Sequence, residues 1–279
     1  MTEMSTKTTT SKDGTVIAYD RTGEGPAVVL VHPAFGHRMG NPEFAGLAQL
    51  LSSFGYTVYN YDRRGRGESG DTQPYAVERE IEDLGAVTSV AGDSTAVYGM
   101  SSGAALALRA ANQGLPITSL ALFEAPFIVD DSRPPMPPSV RSELESLCAA
   151  GRRGDAVALF MTNVGTPAEI VAGFRSQPWW AGLEAVAPTL AYDVAILEGT
   201  QLGRPLSPSL TEHVTQPTLV IVSSQAFPWM RNSQQALVDA LPDARLSVLE
   251  GEFHALKPEI QAPAISEFLA GAATTATQR

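Results

Sequence analysis

Short apolar runs alternate with helical patterns along most of the chain, and this alternation constrains the fold more than any other feature. Ala27-Val28-Val29-Leu30-Val31 is wholly apolar, as expected of a strand buried on both faces. A helical pattern starts at Pro42, keeps its apolar residues on one face and ends at Gly55. Other strand patterns occupy 15–19, 57–61, 95–98, 120–123, 219–222 and 246–249, and other helical patterns occupy 77–84, 102–112, 232–241 and 259–269. The alternation predicts an α/β fold with a mostly parallel sheet of about eight strands and flanking helices.

One segment interrupts this order. Between the strand patterns at 120–123 and 219–222, the proline-rich stretch Arg133-Pro134-Pro135-Met136-Pro137-Pro138 leads into several short helical patterns. One of these starts at Thr166-Pro167-Ala168-Glu169, which fits a capping box with proline at the first helical position. We therefore predict a core formed by residues 1–132 and 211–279, with a helical lid inserted over 133–210.

The composition excludes several classes of function. The formal net charge is −11, whereas a nucleic-acid-binding surface needs clustered Lys and Arg. No stretch approaches 18 uninterrupted apolar residues, so no membrane association is expected. The polar N-terminus lacks a signal sequence and the single Cys148 allows no intrachain disulfide, which together favour a cytoplasmic location. No His, Cys and Asp residues show metal-ligand spacing, so we expect neither a metal nor a cofactor.

Ser101 lies in a G-x-S-x-G pattern, Gly99-Met100-Ser101-Ser102-Gly103, between a strand pattern and a helical pattern. Flanking glycines are expected at a turn too sharp to accommodate Cβ atoms. Such a turn exposes the serine at a strand end, and the helix that follows directs its N-terminal N–H groups to the same point. The pattern predicts that Ser101 is a nucleophile. The alternative is a Gly/Ser loop that only caps the helix.

The same pattern belongs to a larger set that resembles the α/β-hydrolases. The set comprises the loop His32-Pro33-Ala34-Phe35-Gly36, the loop Asp62-Arg63-Arg64-Gly65-Arg66-Gly67-Glu68-Ser69, the Ser101 turn and the late His254, in the family's order. The resemblance implies an α/β-hydrolase fold, and it is closest to small actinobacterial-type serine hydrolases with a helical cap. Because the arginine-rich loop lacks the G-x-x-x-x-G-K-[ST] phosphate pattern, we expect its arginines to bind neighbouring carboxylates.

A serine hydroxyl needs a general base, and histidine is the usual one because its pKa lies near neutral pH. His254 follows the last strand pattern, which is the family's position for the base. His32 ends a strand pattern, where we expect it to hold its loop in shape. His37 and His213 are expected to be solvated loop residues.

The resemblance places the triad acid at an unusual position. In the family the carboxylate usually follows the seventh strand, but no acid occurs between Glu212 and Asp239, around the strand pattern at 219–222. Some members carry the acid at the end of the sixth strand, which corresponds to 120–123 here. We therefore assign Glu124 to orient His254 and to stabilise its imidazolium form, with Asp130 and Asp131 as alternatives.

The family's oxyanion hole implies two backbone donors. One is the N–H of Ser102, and the other lies in the loop after His32, where Pro33 replaces the usual glycine. Proline has no N–H, so Ala34 or Phe35 supplies the second donor.

The lid and the loops around Ser101 carry large apolar residues that could line a substrate pocket. The expected lining residues are Phe35, Met100, Phe160, Trp179 and Trp180. Packing of the lid onto the body is an equally good explanation of the lid aromatics.

Two functions remain open from the sequence. The first is a serine hydrolase that forms an acyl-enzyme on an ester or lactone of a small to medium hydrophobic molecule, or that cleaves a carbon–carbon bond. The second is a cofactor-free synthase or cyclase, or a ligand-binding protein, on the same fold. Either form would act as a monomer or a homodimer.

Overall fold

The computed structural model describes residues 6–92 and 94–277, and these residues fold around a sheet of eight strands in the order β1-β2-β4-β3-β5-β6-β7-β8. The first two pairings are antiparallel and the other five are parallel. The strands are β1 Lys7–Thr10, β2 Val16–Thr22, β3 Ala27–Val31, β4 Thr57–Tyr61, β5 Thr95–Met100, β6 Ser119–Phe123, β7 Thr218–Ser223 and β8 Ala244–Leu249. The predicted mostly parallel α/β sheet is confirmed.

Helices cover both faces of this sheet. They are α1 Pro42–Ser53, α2 Val77–Ala91, α3 Ser102–Asn112, α4 Val140–Ala149, α5 Arg153–Asn163, α6 Ala168–Phe174, α7 Trp180–Val186, α8 Leu190–Ile196, α9 Pro228–Ala240 and α10 Pro258–Thr277. Short 3₁₀ turns occur at Arg38–Gly40, Ala187–Thr189 and Pro208–Leu210. Apolar residues of α2 and α3 pack on one face of the sheet, and those of α1 and α10 pack on the other.

Helix α1 illustrates how the sequence sets these elements. The Asn41 side chain accepts a hydrogen bond from the N–H of Phe44 (3.2 Å), and Pro42 occupies the first helical position. Phe44, Leu47 and Leu51 then form the buried face that packs against the sheet. The helix starts at the residue that its pattern predicts.

Helices α4 to α8 all lie between β6 and β7, where the sequence predicts a lid. They share a hydrophobic cluster of their own, which includes Leu144, Phe160 and Leu190, and Phe35 from the loop after β3 packs against it. The predicted capping box at α6 is wrong. Pro167 itself is the N-cap residue, and it makes no side-chain cap. Thr166 belongs to the end of the preceding helix, since its N–H bonds to Met161 O of α5 (2.9 Å).

Candidate active site

Ser101 occupies the turn between β5 and α3, in a backbone conformation that is rare for a residue with a side chain, with φ 55° and ψ −122°. Its N–H donates to Phe123 O of β6 (2.9 Å). The neighbouring glycines are required for space, because a Cβ on Gly99 would lie 2.5 Å from Gly103 O and a Cβ on Gly103 would lie 2.3 Å from Val31 O. The turn is therefore the sharp one that the G-x-S-x-G pattern predicts.

Glu124 and His254 come together across the end of β7. Glu124 follows β6 and is fully buried; its Oε1 accepts hydrogen bonds from the N–H and the hydroxyl of Ser223, the last residue of β7. Its Oε2 accepts the N–H of His254 (2.9 Å) and lies in hydrogen-bond contact with His254 Nδ1. The sequence-predicted acid thus contacts the sequence-predicted base.

The environment of Glu124 favours its ionised form. Burial opposes ionisation, but the hydrogen bonds from His254 and Ser223 hold the pKa of the Glu124 carboxyl below its usual value. A carboxylate is therefore held against Nδ1 of the imidazole, which leaves Nε2 to accept a proton. Phe253 stacks on the ring of His254, with the ring centroids 4.3 Å apart, and limits its rotation.

Ser101 and His254 line the same cavity, but no hydrogen bond joins the serine hydroxyl to the imidazole among the hydrogen bonds of the described residues. Catalytic hydrogen bonds are often long before a substrate is bound. The structure thus brings the predicted acid and the predicted base into contact, and the predicted nucleophile lines the same cavity as the base.

The loop after β3 forms the other wall of the site. The N–H of Gly36 closes a turn onto Pro33 O (3.1 Å), with Phe35 at φ 64°. In the described chain the backbone N–H groups of Ala34, Phe35 and Ser102 donate no hydrogen bond to the protein. The predicted oxyanion donors are therefore not used by the described part of the protein.

Backbone strain is concentrated at these residues. Phe35, Ser101, Glu124 and His254 are the four non-glycine residues with positive φ in the described part of the chain. Each such conformation costs about 1–3 kcal/mol and persists where the surrounding structure enforces it, which is common at functional sites.

Comparison with known proteins identifies the family of this chain. Residues 28–259 match the sequence model of the Alpha/beta hydrolase family. The chain belongs to this family. An alpha/beta hydrolase from Sphaerobacter thermophilus DSM 20745 is 49% identical, with a TM-score of 0.86 over 94% of this chain and 100% of that one.

More distant solved structures share the fold. A thermophilic esterase from Thermogutta terrifontis is 21% identical (TM-score 0.68, covering 97% of this chain and 98% of that one). A proline iminopeptidase from Mycobacterium smegmatis is 22% identical (TM-score 0.65, covering 98% and 100%). A comparison with curated protein sequences found no significant match.

The site of this alpha/beta hydrolase opens into a cavity of about 730 Å³ between the lid and the body, within the size range of small-molecule sites. Three of the predicted pocket residues, Phe35, Met100 and Phe160, line it. Trp229 of α9 lines it too, although the sequence analysis did not select it. Its position just after β7, at the carboxyl end of a parallel strand, was the signal that could have identified it.

The assignment of Trp179 and Trp180 to the pocket is wrong, because neither residue lines the cavity. Trp180 is buried in the hydrophobic cluster of the lid, where its indole N–H donates to Glu184 (2.8 Å). Trp179 is 47% exposed and packs edge-on against Phe174. Trp180 therefore belongs to the packing within the lid, and Trp179 lies partly at its surface.

The predicted pairing of the arginine-rich loop with carboxylates is confirmed. Arg63 binds Glu80 (2.8 Å) and Asp193 (2.8 Å), and Arg66 binds Asp193 (2.6 Å). Asp193 of α8 also accepts the hydroxyl of Ser102 (2.7 Å). All of these groups are buried, so a lid residue that the sequence analysis missed is tied to the residue that follows the predicted nucleophile.

The other histidines lie away from this pairing. His32 is fully buried, and burial lowers the pKa of its imidazole to about 3, while its Nε2 hydrogen-bonds to Asn60 (2.7 Å). His213 is exposed. His37 is half-buried, with its Nδ1 enclosed by protein, so it is less solvated than expected.

Residues 6–92 and 94–277 contain neither a candidate membrane span nor a candidate metal site. None of their helices combines the length and the apolar character needed to cross a membrane. No group of three His, Cys, Asp or Glu side chains there is arranged to hold a metal ion.

Proposed function

We propose that this alpha/beta hydrolase is a serine hydrolase that cleaves an ester or lactone of a small to medium hydrophobic compound. The observation that carries the proposal is the buried Glu124 carboxylate held against His254 beside the cavity that Ser101 lines. Backbone strain at the same three residues supports it, since strain of this kind is retained at functional sites.

In the proposed reaction, His254 removes the proton of the Ser101 hydroxyl as its oxygen attacks the carbonyl carbon. The N–H groups of Ser102 and Ala34 stabilise the negative charge that develops on the carbonyl oxygen. The imidazolium of His254, stabilised by Glu124, then protonates the leaving alcohol and an acyl-enzyme remains on Ser101. Water, deprotonated by His254, attacks the acyl group, and the acid is released with the proton returned to Ser101.

The cavity determines which acyl groups fit. Apolar side chains dominate the cavity wall, among them Phe35, Phe160 and Trp229. Desolvation by such walls favours hydrophobic acyl chains and strengthens hydrogen bonds to the oxyanion. Cleavage of a carbon–carbon bond by the same residues belongs to the same proposal.

The test is the variant Ser101→Ala, assayed with p-nitrophenyl butyrate. We expect its kcat to fall by at least about 10³-fold, since the nucleophile is removed, while its circular dichroism spectrum remains that of the wild type. Ser142→Ala removes an exposed hydroxyl from α4 and serves as the matched control, with unchanged turnover. Undiminished turnover by Ser101→Ala would contradict the proposal.

One observation favours a second candidate, a cofactor-free synthase or cyclase, or a ligand-binding protein. Ser101 and His254 share no hydrogen bond within the described residues, as expected of a serine that is not activated. A fluorophosphonate probe separates the two candidates. Labelling of Ser101, located by peptide mass spectrometry, supports the hydrolase, and failure to label supports the second candidate.

A further inference from the structure

Arg133 is a cation in the wall of the active-site cavity, at the start of the lid segment. Its guanidinium lies over the ring of Trp229, with 4.3 Å from Cζ to the ring centroid, and its Nη2 donates to Asn163 O at the end of α5 (2.8 Å). These two contacts fix the guanidinium between the lid and the body.

No carboxylate among the described residues pairs with Arg133. By contrast, the buried arginines Arg38, Arg63, Arg64 and Arg66 all bind carboxylates. The acid three residues before Arg133, Asp130, instead accepts hydrogen bonds from Ser132 and Asn232. The charge of Arg133 is therefore not neutralised within the described part of the protein.

The hydrogen-bonding capacity of Arg133 is also largely unused. A guanidinium carries five N–H groups, but Nε and Nη1 donate no hydrogen bond within the described residues, and neither atom is enclosed by protein. Partial burial lowers the pKa of the Arg133 guanidinium from its ordinary value, yet an arginine stays protonated at neutral pH. A permanent cation with free donors thus borders the cavity.

The other charged groups that line the cavity are already paired. Asp193 is held by Arg63 and Arg66, and His254 is held by Glu124. An anion that enters the cavity therefore meets one unpaired cation and an otherwise mostly apolar wall. Removing a carboxylate from water beside such a wall costs free energy unless a cation pairs with it.

We propose that Arg133 binds a carboxylate of the compound that occupies the cavity, through charge-assisted hydrogen bonds from its free N–H groups. Combined with the proposed function, on which this last step rests, the substrate is an ester or lactone that carries a free carboxylate on its acyl part. Arg133 selects this substrate by binding and takes no part in proton transfer.

Binding without turnover provides the first test. In the Ser101→Ala background, isothermal titration calorimetry compares 4-phenylbutyrate with its neutral isostere 4-phenylbutyramide. We expect the carboxylate to bind at least about tenfold more tightly than the amide. A hydrogen bond to a charged group, made away from water, strengthens binding by about this factor. Equal affinities for the two compounds would overturn the proposal before any change is made at Arg133.

Arg133→Gln, added to the same background, removes the charge but keeps a polar side chain with amide N–H groups. We expect it to abolish the preference for the carboxylate and to leave amide binding unchanged. Arg141→Gln makes the same charge change on α4 at a residue that does not line the cavity, and it should keep the preference. If Arg133→Gln keeps the wild-type ratio of affinities and only lowers the melting temperature, Arg133 is a structural link between lid and body and the proposal is wrong.

Kinetics separate this proposal from the proposed function. With Ser101 intact, p-nitrophenyl hemisuccinate and p-nitrophenyl butyrate share a leaving group and differ in the carboxylate. We expect Arg133→Gln to raise KM about tenfold or more for the hemisuccinate alone, with kcat unchanged. If neither ester is hydrolysed while the binding preference persists, the hydrolase proposal fails and carboxylate binding stands. If the enzyme with Arg133 intact hydrolyses both esters with equal KM values, the hydrolase proposal stands and the proposal of carboxylate binding by Arg133 fails.

Discussion

Replacing Glu124 with glutamine tests the most unusual part of the site, an acid that follows β6. The side chain keeps its size, but it has one oxygen in place of two, while four donors from Ser223 and His254 converge on the carboxylate. One pair of donors must therefore face an amide NH₂. If that pair belongs to His254, Nδ1 can no longer donate to residue 124, and the imidazole loses the tautomer in which Nε2 accepts a proton.

The magnitudes follow from this geometry. Loss of the correct tautomer and of the charge that stabilises the imidazolium should lower kcat about 10⁴-fold, which corresponds to about 5 kcal/mol of transition-state stabilisation. The unsatisfied buried donors should lower the free energy of unfolding by about 1–3 kcal/mol. Because a domain of ordinary stability has about 5–15 kcal/mol, Glu124→Gln should remain folded.

The assay compares kcat for p-nitrophenyl butyrate with urea unfolding followed by circular dichroism. Asp130→Asn is the matched control, since Asp130 is an alternative acid in the sequence and its carboxylate is bound by Ser132 and Asn232 instead of by His254. Its kcat should equal that of the wild type. The reasoning is refuted if Glu124→Gln keeps more than about a tenth of the wild-type kcat, or if Asp130→Asn loses as much activity as Glu124→Gln.

Two further predictions concern Asp193. In Asp193→Asn, Arg63 and Arg66 lose the carboxylate that they share in the interior. The free energy of unfolding, measured by urea titration at neutral pH, should therefore be about 3–5 kcal/mol lower than in the wild type. Equal unfolding midpoints would contradict this prediction. Burial opposes ionisation of Asp193, but Arg66 and Arg63 hold the pKa of its carboxyl below the ordinary value of 3.8. The carboxylate therefore stabilises the fold above pH 3.8, and this stabilisation is lost as the pH falls through the lowered pKa. The stability difference between wild type and Asp193→Asn should therefore shrink below about pH 4 in titrations at a series of pH values, and a constant difference would contradict the assignment.

Strand ends were predictable because buried parallel strands leave a strong apolar signal. The position of Ser101 follows from its two glycines, and the approach of Glu124 to His254 follows from their places after β6 and β8. The sheet puts the carboxyl ends of these strands at one edge, so residues that follow them meet there. The first strand, β1, was missed because it is a largely exposed edge strand of Lys and Thr without an apolar face.

The lid was less predictable for a physical reason. A short helix with several large apolar residues can turn any of them toward its neighbours in the lid or toward the cavity, and helical spacing does not distinguish the two. Trp180 therefore resembled a pocket residue although it belongs to the lid cluster. Asp193 gave no signal either, because one acid in an apolar helix acquires meaning only when Arg63 and Arg66 approach it from another part of the chain.

The carboxylate of Glu124 reaches His254 across the end of β7. The loop that follows β7 therefore does not need to contain the acid that contacts the histidine. In this chain that loop and the start of α9 contribute Phe227 and Trp229 to the cavity wall. Under the proposed mechanism, variation of these two positions alters the shape of the acyl site without touching a proton-transfer group. A library confined to them would explore substrate range while the catalytic residues stay constant.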